Sequence, residues 1–204
     1  KDTAQNLAVG LKAFSEGQMA SFNKIVITDN SPLVLDPVTF KSLDTAKQTV
    51  SWNTHNGASV FNNDSPETKG SIKLIGSYSD FLSSGIWNGS SFETTLTSTA
   101  DSANLISQIS GTQTLAGTIS TTSEVTSIES MLSKAPAAGL TFTTDLNFTS
   151  TFGSDGLTAD VFKSLVNLDV LATSQNLLAD NFSSGLTIVD TADNIKSLIT
   201  DTTS

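Results

Sequence analysis

The sequence predicts an α/β fold: degenerate strand–helix repeats stacked solenoid-fashion, with a mixed sheet and short covering helices. Three observations carry this prediction. Asp2-Thr-Ala-Gln-Asn-Leu7 returns as Asp190-Thr-Ala-Asp-Asn-Ile195, with a degraded copy at Asp101-Ser-Ala-Asn-Leu105 between them. Thr39-Phe-Lys-Ser-Leu43 returns, in the same order, as Val161-Phe-Lys-Ser-Leu165. A strand, an Asp or Ser cap and a short helix recur along the chain. Self-similarity of this kind is the signature of units that cannot bury an apolar face alone but share a core when stacked.

The elements follow in order. Ala4, Leu7, Ala8, Leu11 and Phe14 fall on one helical face, and Asp2 is placed to cap the free N–H groups of the first turn. Lys24–Thr28 and Pro32–Asp36 read as strands. The Asp29-Asn30-Ser31 turn between them admits an antiparallel hairpin. A helix carrying Phe40 and Leu43 follows. Residues 51–70, with Trp52, His55, Asn62, Asn63, Asp64 and Pro66, read as a long polar insertion. Ser71–Ile75 leads into a helix at Ser79-Asp80-Phe81-Leu82, and Thr94–Thr97 into the Asp101 helix. Gly117–Ser120 leads into the helix Glu124–Leu132, which Pro136 terminates within Ser133–Gly139. Leu140–Phe148 alternates as a long strand. Gly185–Val189 runs straight into the last helix, with Ala192, Ile195, Leu198 and Ile199 on one face. The predicted organisation is a first unit at 1–98 containing the insertion, a divergent second unit at 99–189 with an insertion around Gly117–Leu132, and the start of a third at 190–204. Both ends fall in mid-pattern, which predicts a segment cut from a longer protein.

Composition narrows the function classes. The 204 residues, 37% of them apolar, suffice for a real core. Ten basic against twenty acidic residues give a net charge of −10, which disfavours nucleic acid and anionic lipid as partners. No apolar run approaches the roughly 18–20 residues that span a bilayer, so no membrane insertion is expected. The absence of cysteine excludes disulfides, thiolate metal sites and cysteine nucleophiles.

No catalytic pattern emerges: there is no His-Glu-x-x-His, Gly-x-Ser-x-Gly, P-loop or dinucleotide fingerprint. The single histidine, His55, reads as a solvated loop side chain. The acidic pairs Asp64/Glu67, Glu124/Glu129, Asp155/Asp160 and Asp190/Asp193 read as helix caps and first-turn acids, which the helix dipole favours. Calcium is the one ion with candidate ligands, at Asp155, Asp160 and Asp64, although no EF-hand or β-roll motif is present. Trp52, Tyr78 and Trp87 are candidates for carbohydrate contact, since aromatic rings stack on sugars; packing in the core is the competing use.

The order Asp-Thr-Ala-x-Asn-(Leu/Ile), then Ile-x-Ile-Thr-Asp, then Leu-x-Leu, then a Phe-containing helix resembles the Asp-Thr-Ala-Ala-Asn repeats of very large bacterial surface proteins, including giant secreted adhesins and S-layer-like proteins. Asp2–Leu43 carries the best match and Val189–Ile199 the start of the next repeat. The resemblance implies extracellular display on a bacterial surface, and a structural or adhesive segment engaged in assembly, spacing or cohesion. Its implied partners are copies of itself, neighbouring repeats or cell-surface glycans. It implies no catalytic residues. A carbohydrate-binding or carbohydrate-cleaving segment and a calcium-dependent self-assembly module are the alternatives.

Overall fold

The computed structural model describes residues 2–14, 16–22, 25–29, 31–46, 50–52, 72–93, 109 and 111–201. The chain divides into two compact units, Lys1–Asn88 with Phe92–Thr114, and Gly89–Ser91 with Leu115–Ser204. It is an α/β protein. One sheet pairs β1 (Ile25–Ile27) with β3 (Val50–Trp52), and a four-stranded sheet has the order β2 (Leu33–Leu35), β4 (Ile72–Gly76), β5 (Thr112–Ile119), β6 (Thr141–Phe148).

The first unit opens with α1 (Ala4–Leu11) and the short α2 (Glu16–Met19). β1 and β2 each bury alternate residues, Ile25, Ile27, Leu33 and Leu35, as period-2 strands facing a core should. They form no hairpin. β1 pairs in parallel with β3, Ile27 opposite Trp52, and β2 pairs in parallel with β4, Leu33 opposite Ile72. Pro32, which lacks an N–H, leads into β2, and the two strands belong to different sheets instead of doubling back on each other. The expectation of a mixed sheet is corrected for the same reason. β2 and β4 run parallel, Ile72 bridges Ile109 in parallel ahead of β5, and Thr149 N–H donates to Ile119 O where β5 and β6 both end.

The strand–cap–helix rule holds after β2 and β4, whereas after β5 the cap is a Thr and not the expected Asp or Ser. Asp36 caps α3 (Pro37–Thr45), its carboxylate accepting Thr39 N–H and Oγ1–H, both at 2.8 Å, with Pro37 at the first helical position. Ser77 caps α4 (Tyr78–Ser83) in a reciprocal box with Asp80. Thr121 and Glu124 form the same box on α5 (Thr122–Lys134). Gly76 is fixed by packing: a Cβ there would lie 2.5 Å from Pro37 Cδ. Phe40, Leu43, Ile72, Leu74, Phe81 and Trp87 are fully buried and fill the first core.

In the second unit the 13-residue helices α5 and α6 (Ala159–Leu171) pack together, burying Val125, Ile128, Met131, Leu165 and Leu168. The expected terminating loop is a turn of 3-10 helix at Pro136–Ala138, closed by left-handed Gly139. α7 (Leu177–Asn181), which no pattern announced, follows α6, and Phe148, Phe152 and Phe182 cluster with ring centroids 4.7–5.9 Å apart. The β6 edge, which a simple stack of repeats would leave open, is closed within its own unit. Thr144 N–H donates to Ser174 Oγ at 2.7 Å, Leu146 N–H to Gln175 Oε1 at 2.8 Å and Phe148 N–H to Asn181 Oδ1 at 3.3 Å. Side chains thereby occupy the alternate donors a further strand would need. α8 (Ala192–Asp201) ends the described chain.

Candidate functional site

The first copy of the motif enters a joint with β1, and a second joint of the same geometry forms at Leu157-Thr158-Ala159, where the later copy supplies the terminal Asp. In the first unit Asp2 N–H donates to Val26 O at 3.1 Å and Thr28 N–H donates to Asp2 O at 2.9 Å, so β1 brackets Asp2 in a parallel bridge. Immediately beyond β1, the Asp29 carboxylate accepts Ala4 N–H at 3.0 Å. In the second unit Leu157 N–H donates to Thr187 O at 2.9 Å and Val189 N–H donates to Leu157 O at 2.8 Å. There the Asp190 carboxylate accepts Ala159 N–H at 2.9 Å. The two arrangements match residue for residue: a bridging residue, a Thr N-cap, an Ala at the first helical position, and a later extended segment whose terminal Asp takes the Ala N–H.

Each partner has a local reason. Thr3 and Thr158 sit in extended backbone and cap α1 and α6, accepting Asn6 N–H and Val161 N–H. The expected Asp2 cap is therefore displaced by one residue, and Asp2 does a different job: its Oδ1 accepts Thr3 N–H at 2.8 Å and the Asn6 side-chain amide at 2.9 Å. Asp190 repeats this with Thr191 N–H at 2.7 Å and Asn194 Nδ2 at 2.8 Å, while its Oδ2 holds Ala159. Asp190 is thus the terminal Asp of one joint and the first Asp of the next motif. The hydrogen bond from Ala159, then those from Asn194 and Thr191, hold its carboxyl below the usual Asp range. Asp2 is lowered chiefly by the Asn6 amide and then by Thr3 N–H. The second joint also needs Gly156. Its φ is +87°, and a Cβ there would lie 2.5 Å from Val189 Cγ2, within the bridged segment.

The other acids are structural in their contacts. Burial raises Glu124, but N–H and hydroxyl donors from Ser120 and Thr121 outweigh it and leave the carboxyl low. Lys41 pairs with Glu93 at 2.7 Å and Asp44 at 3.7 Å, and burial pushes Asp44 up. Glu129 accepts from Asn167 at 2.9 Å.

Asp155 is exposed in the turn after β6 and Asp160 is exposed in the first turn of α6. No group of three potential metal-ligating side chains occurs among the described residues. Asp64, His55, the remainder of the 51–70 insertion and the Asp101 copy lie outside the described residues. Trp52 belongs to β3 and not to a loop. Tyr78 is half-buried at the start of α4. Trp87 is fully buried, packed on Phe92 at 5.0 Å, so it presents no ring face as it stands. An open cleft of about 280 Å³ lies beside α1, lined by Leu7, Gly10, Leu11, Phe14, Phe22 and Ile25 among others.

Fold and joints together define an α/β chain of parallel strands and capped helices, in which aspartates tie later strands to earlier helix starts. No family model, curated protein or solved structure matches the chain. Among the described residues, no helix is long and apolar enough to cross a membrane.

Proposed function

We propose that the chain is a non-catalytic structural or adhesive repeat segment of a larger extracellular bacterial surface protein, working in assembly, spacing or cohesion. The single observation that carries the reading is the doubled aspartate joint, Asp29 on Ala4 and Asp190 on Ala159. At Asp190 the terminal Asp of a joint is also the first Asp of the next motif, an overlap that would let one unit run into the next without a linker in a tandem array. Solenoid-fashion stacking of the strand–helix units follows from the same logic. The chain is rich in Ser and Thr, and its net charge is −10. Both properties suit a solvated, displayed module.

Low-dose electron imaging of the native protein on intact cells, with antibody labelling of this segment, tests the reading. Labelled lattice or fibre on the cell surface is expected. An intracellular label, or a monodisperse monomer that hydrolyses a glycan, overturns it.

A further inference from the structure

Asp2–Leu11 and Asp190–Ile199 are matched ten-residue segments that share Asp, Thr, Ala and Asn, with Leu7 and Leu11 replaced by Ile195 and Ile199. In each, the Asp Oδ1 accepts the next N–H and the Asn side-chain amide. Each segment is seated in its own unit, but by a different flank. α1 packs on β2 and buries Ala4 and Leu11. α8 packs on α6, with Ile195 and Leu198 half-buried. The motif helix therefore has two working flanks, one for the later strand of its own unit and one for the helix before it.

On α1 the second flank lies open. Leu7 and Gly10 match Ile195 and Leu198 in position, and both line the cleft of about 280 Å³. A Cβ at Gly10 would meet nothing within 4 Å. Asp2 lines the same cleft. Asp190 uses its second carboxylate oxygen, Oδ2, to hold the Ala159 N–H at the start of α6. Asp2 bonds its own motif through Oδ1, and among the described residues nothing donates to its Oδ2. A carboxylate oxygen complements the partial positive charge of a helix start, and the apolar cleft beside it complements a helix flank. These are the two things that the Asp190 segment offers α6.

We infer that Asp2 and the cleft receive a helix of the α6 kind from a preceding unit built like the second unit of this chain. The N–H at that helix's first position lies on Asp2 Oδ2, as Ala159 lies on Asp190, and its apolar flank covers Leu7 and Gly10. α1 keeps its own seat throughout. Asp2 is then, like Asp190, the last Asp of one joint and the first Asp of the next motif. The inference rests on the assembly reading above and names the partner at this face.

The test joins two copies so that Val189 of the first is followed directly by Asp2 of the second. This puts α1 where α8 stood and keeps the spacing from Leu157 to the acceptor Asp. Amide exchange at Ala159 of the first copy should be as slow as in the single chain. Asp2→Ala in the second copy should speed it about tenfold, the worth of one hydrogen bond to a charged acceptor. The sequence has no cysteine, so Gly10→Cys in the second copy supplies a single thiol in the cleft. Its reaction with a maleimide should be slower in the joined protein than in the single chain. Circular dichroism checks folding. If the joined protein does not fold, the single chain carrying Asp193→Gln, Ile195→Leu, Lys196→Ala, Ser197→Val, Leu198→Gly and Ile199→Leu gives Asp190–Ile199 the sequence of Asp2–Leu11, and Ala159 should keep its protection there. Exchange at Ala159 as fast as in Asp190→Ala, in either folded protein, overturns the inference, as does equal thiol reactivity in joined and single chains. Failure of both proteins to fold counts as the same result, since α1 then cannot stand where α8 does. The cell-surface imaging decides the assembly reading separately.

Discussion

Asp190 accepts the backbone N–H of Ala159 at 2.9 Å across 31 residues of sequence, as Asp29 accepts that of Ala4 at 3.0 Å across 25. An aspartate at the end of an extended segment thus caps a helix that began much earlier. Removing the acceptor leaves a first-turn N–H to water and unties the segment behind it. Asp29→Ala should destabilise the first unit by about 1 kcal/mol, read by urea denaturation. Asp190→Ala should destabilise the second unit more than Asp193→Ala, because Asp190 holds three donors and Asp193 is an exposed first-turn acid.

The pH dependence follows from the same carboxylates. Asp2 and Asp190 are held below their ordinary range in the folded chain. A depressed folded pKa contributes stability that is present above the unfolded value, about 3.9, and is lost as pH falls through the folded value. Stability should therefore be flat in these two groups from neutral pH down to about pH 5 and decline below about pH 4. Asp190→Asn should remove part of that decline. Thermal melts across a pH series check it.

Gly156 and Gly185 form a matched pair for testing the joint by sterics. Both have φ of +87°, but a Cβ at Gly156 meets Val189 Cγ2 at 2.5 Å, whereas one at Gly185 meets nothing within 4 Å. Gly185→Ala should cost about 1–2 kcal/mol from backbone conformation alone. Gly156→Ala should cost roughly 1–3 kcal/mol more from overpacking, with the excess located in the Leu157–Ile188 bridge. Urea denaturation of the two variants side by side reads the difference.

Much of this was legible in the sequence, and the misses have physical causes. Hydrophobic period and caps announce α1, α3, α5 and β6, and Phe40–Leu43 and Phe162–Leu165 occupy the same turn after their caps at Asp36 and Thr158. The Asp-Thr-Ala-x-Asn repeat marked the joint, but not its use. A cap reading places Asp2 on its own helix, while the decisive bond comes from Asp29, a long-range partner that no local pattern encodes. The hairpin expectation failed because Asp29-Asn30-Ser31 carries turn residues whether the chain reverses or crosses between sheets; the pairing of β1 with β3 decides it. Closure of the β6 edge by Ser174, Gln175 and Asn181 depends on side chains about 30 residues away and leaves no periodic trace.

That closure is testable as well. Gln175→Ala removes the partner of both Leu146 N–H and Leu146 O. It should cost about 1 kcal/mol and raise aggregation on storage, because the freed edge templates strand addition. Light scattering at matched concentration reads the difference, with Thr173→Ala, a change at an exposed neighbour, as the reference.

The central claim, that one kind of aspartate joint is used twice, is tested most directly by amide hydrogen exchange at Ala4 and Ala159 in wild type, Asp29→Ala and Asp190→Ala. Faster exchange is predicted at Ala4 only in Asp29→Ala, and at Ala159 only in Asp190→Ala. Unchanged exchange at both alanines in folded variants would contradict it.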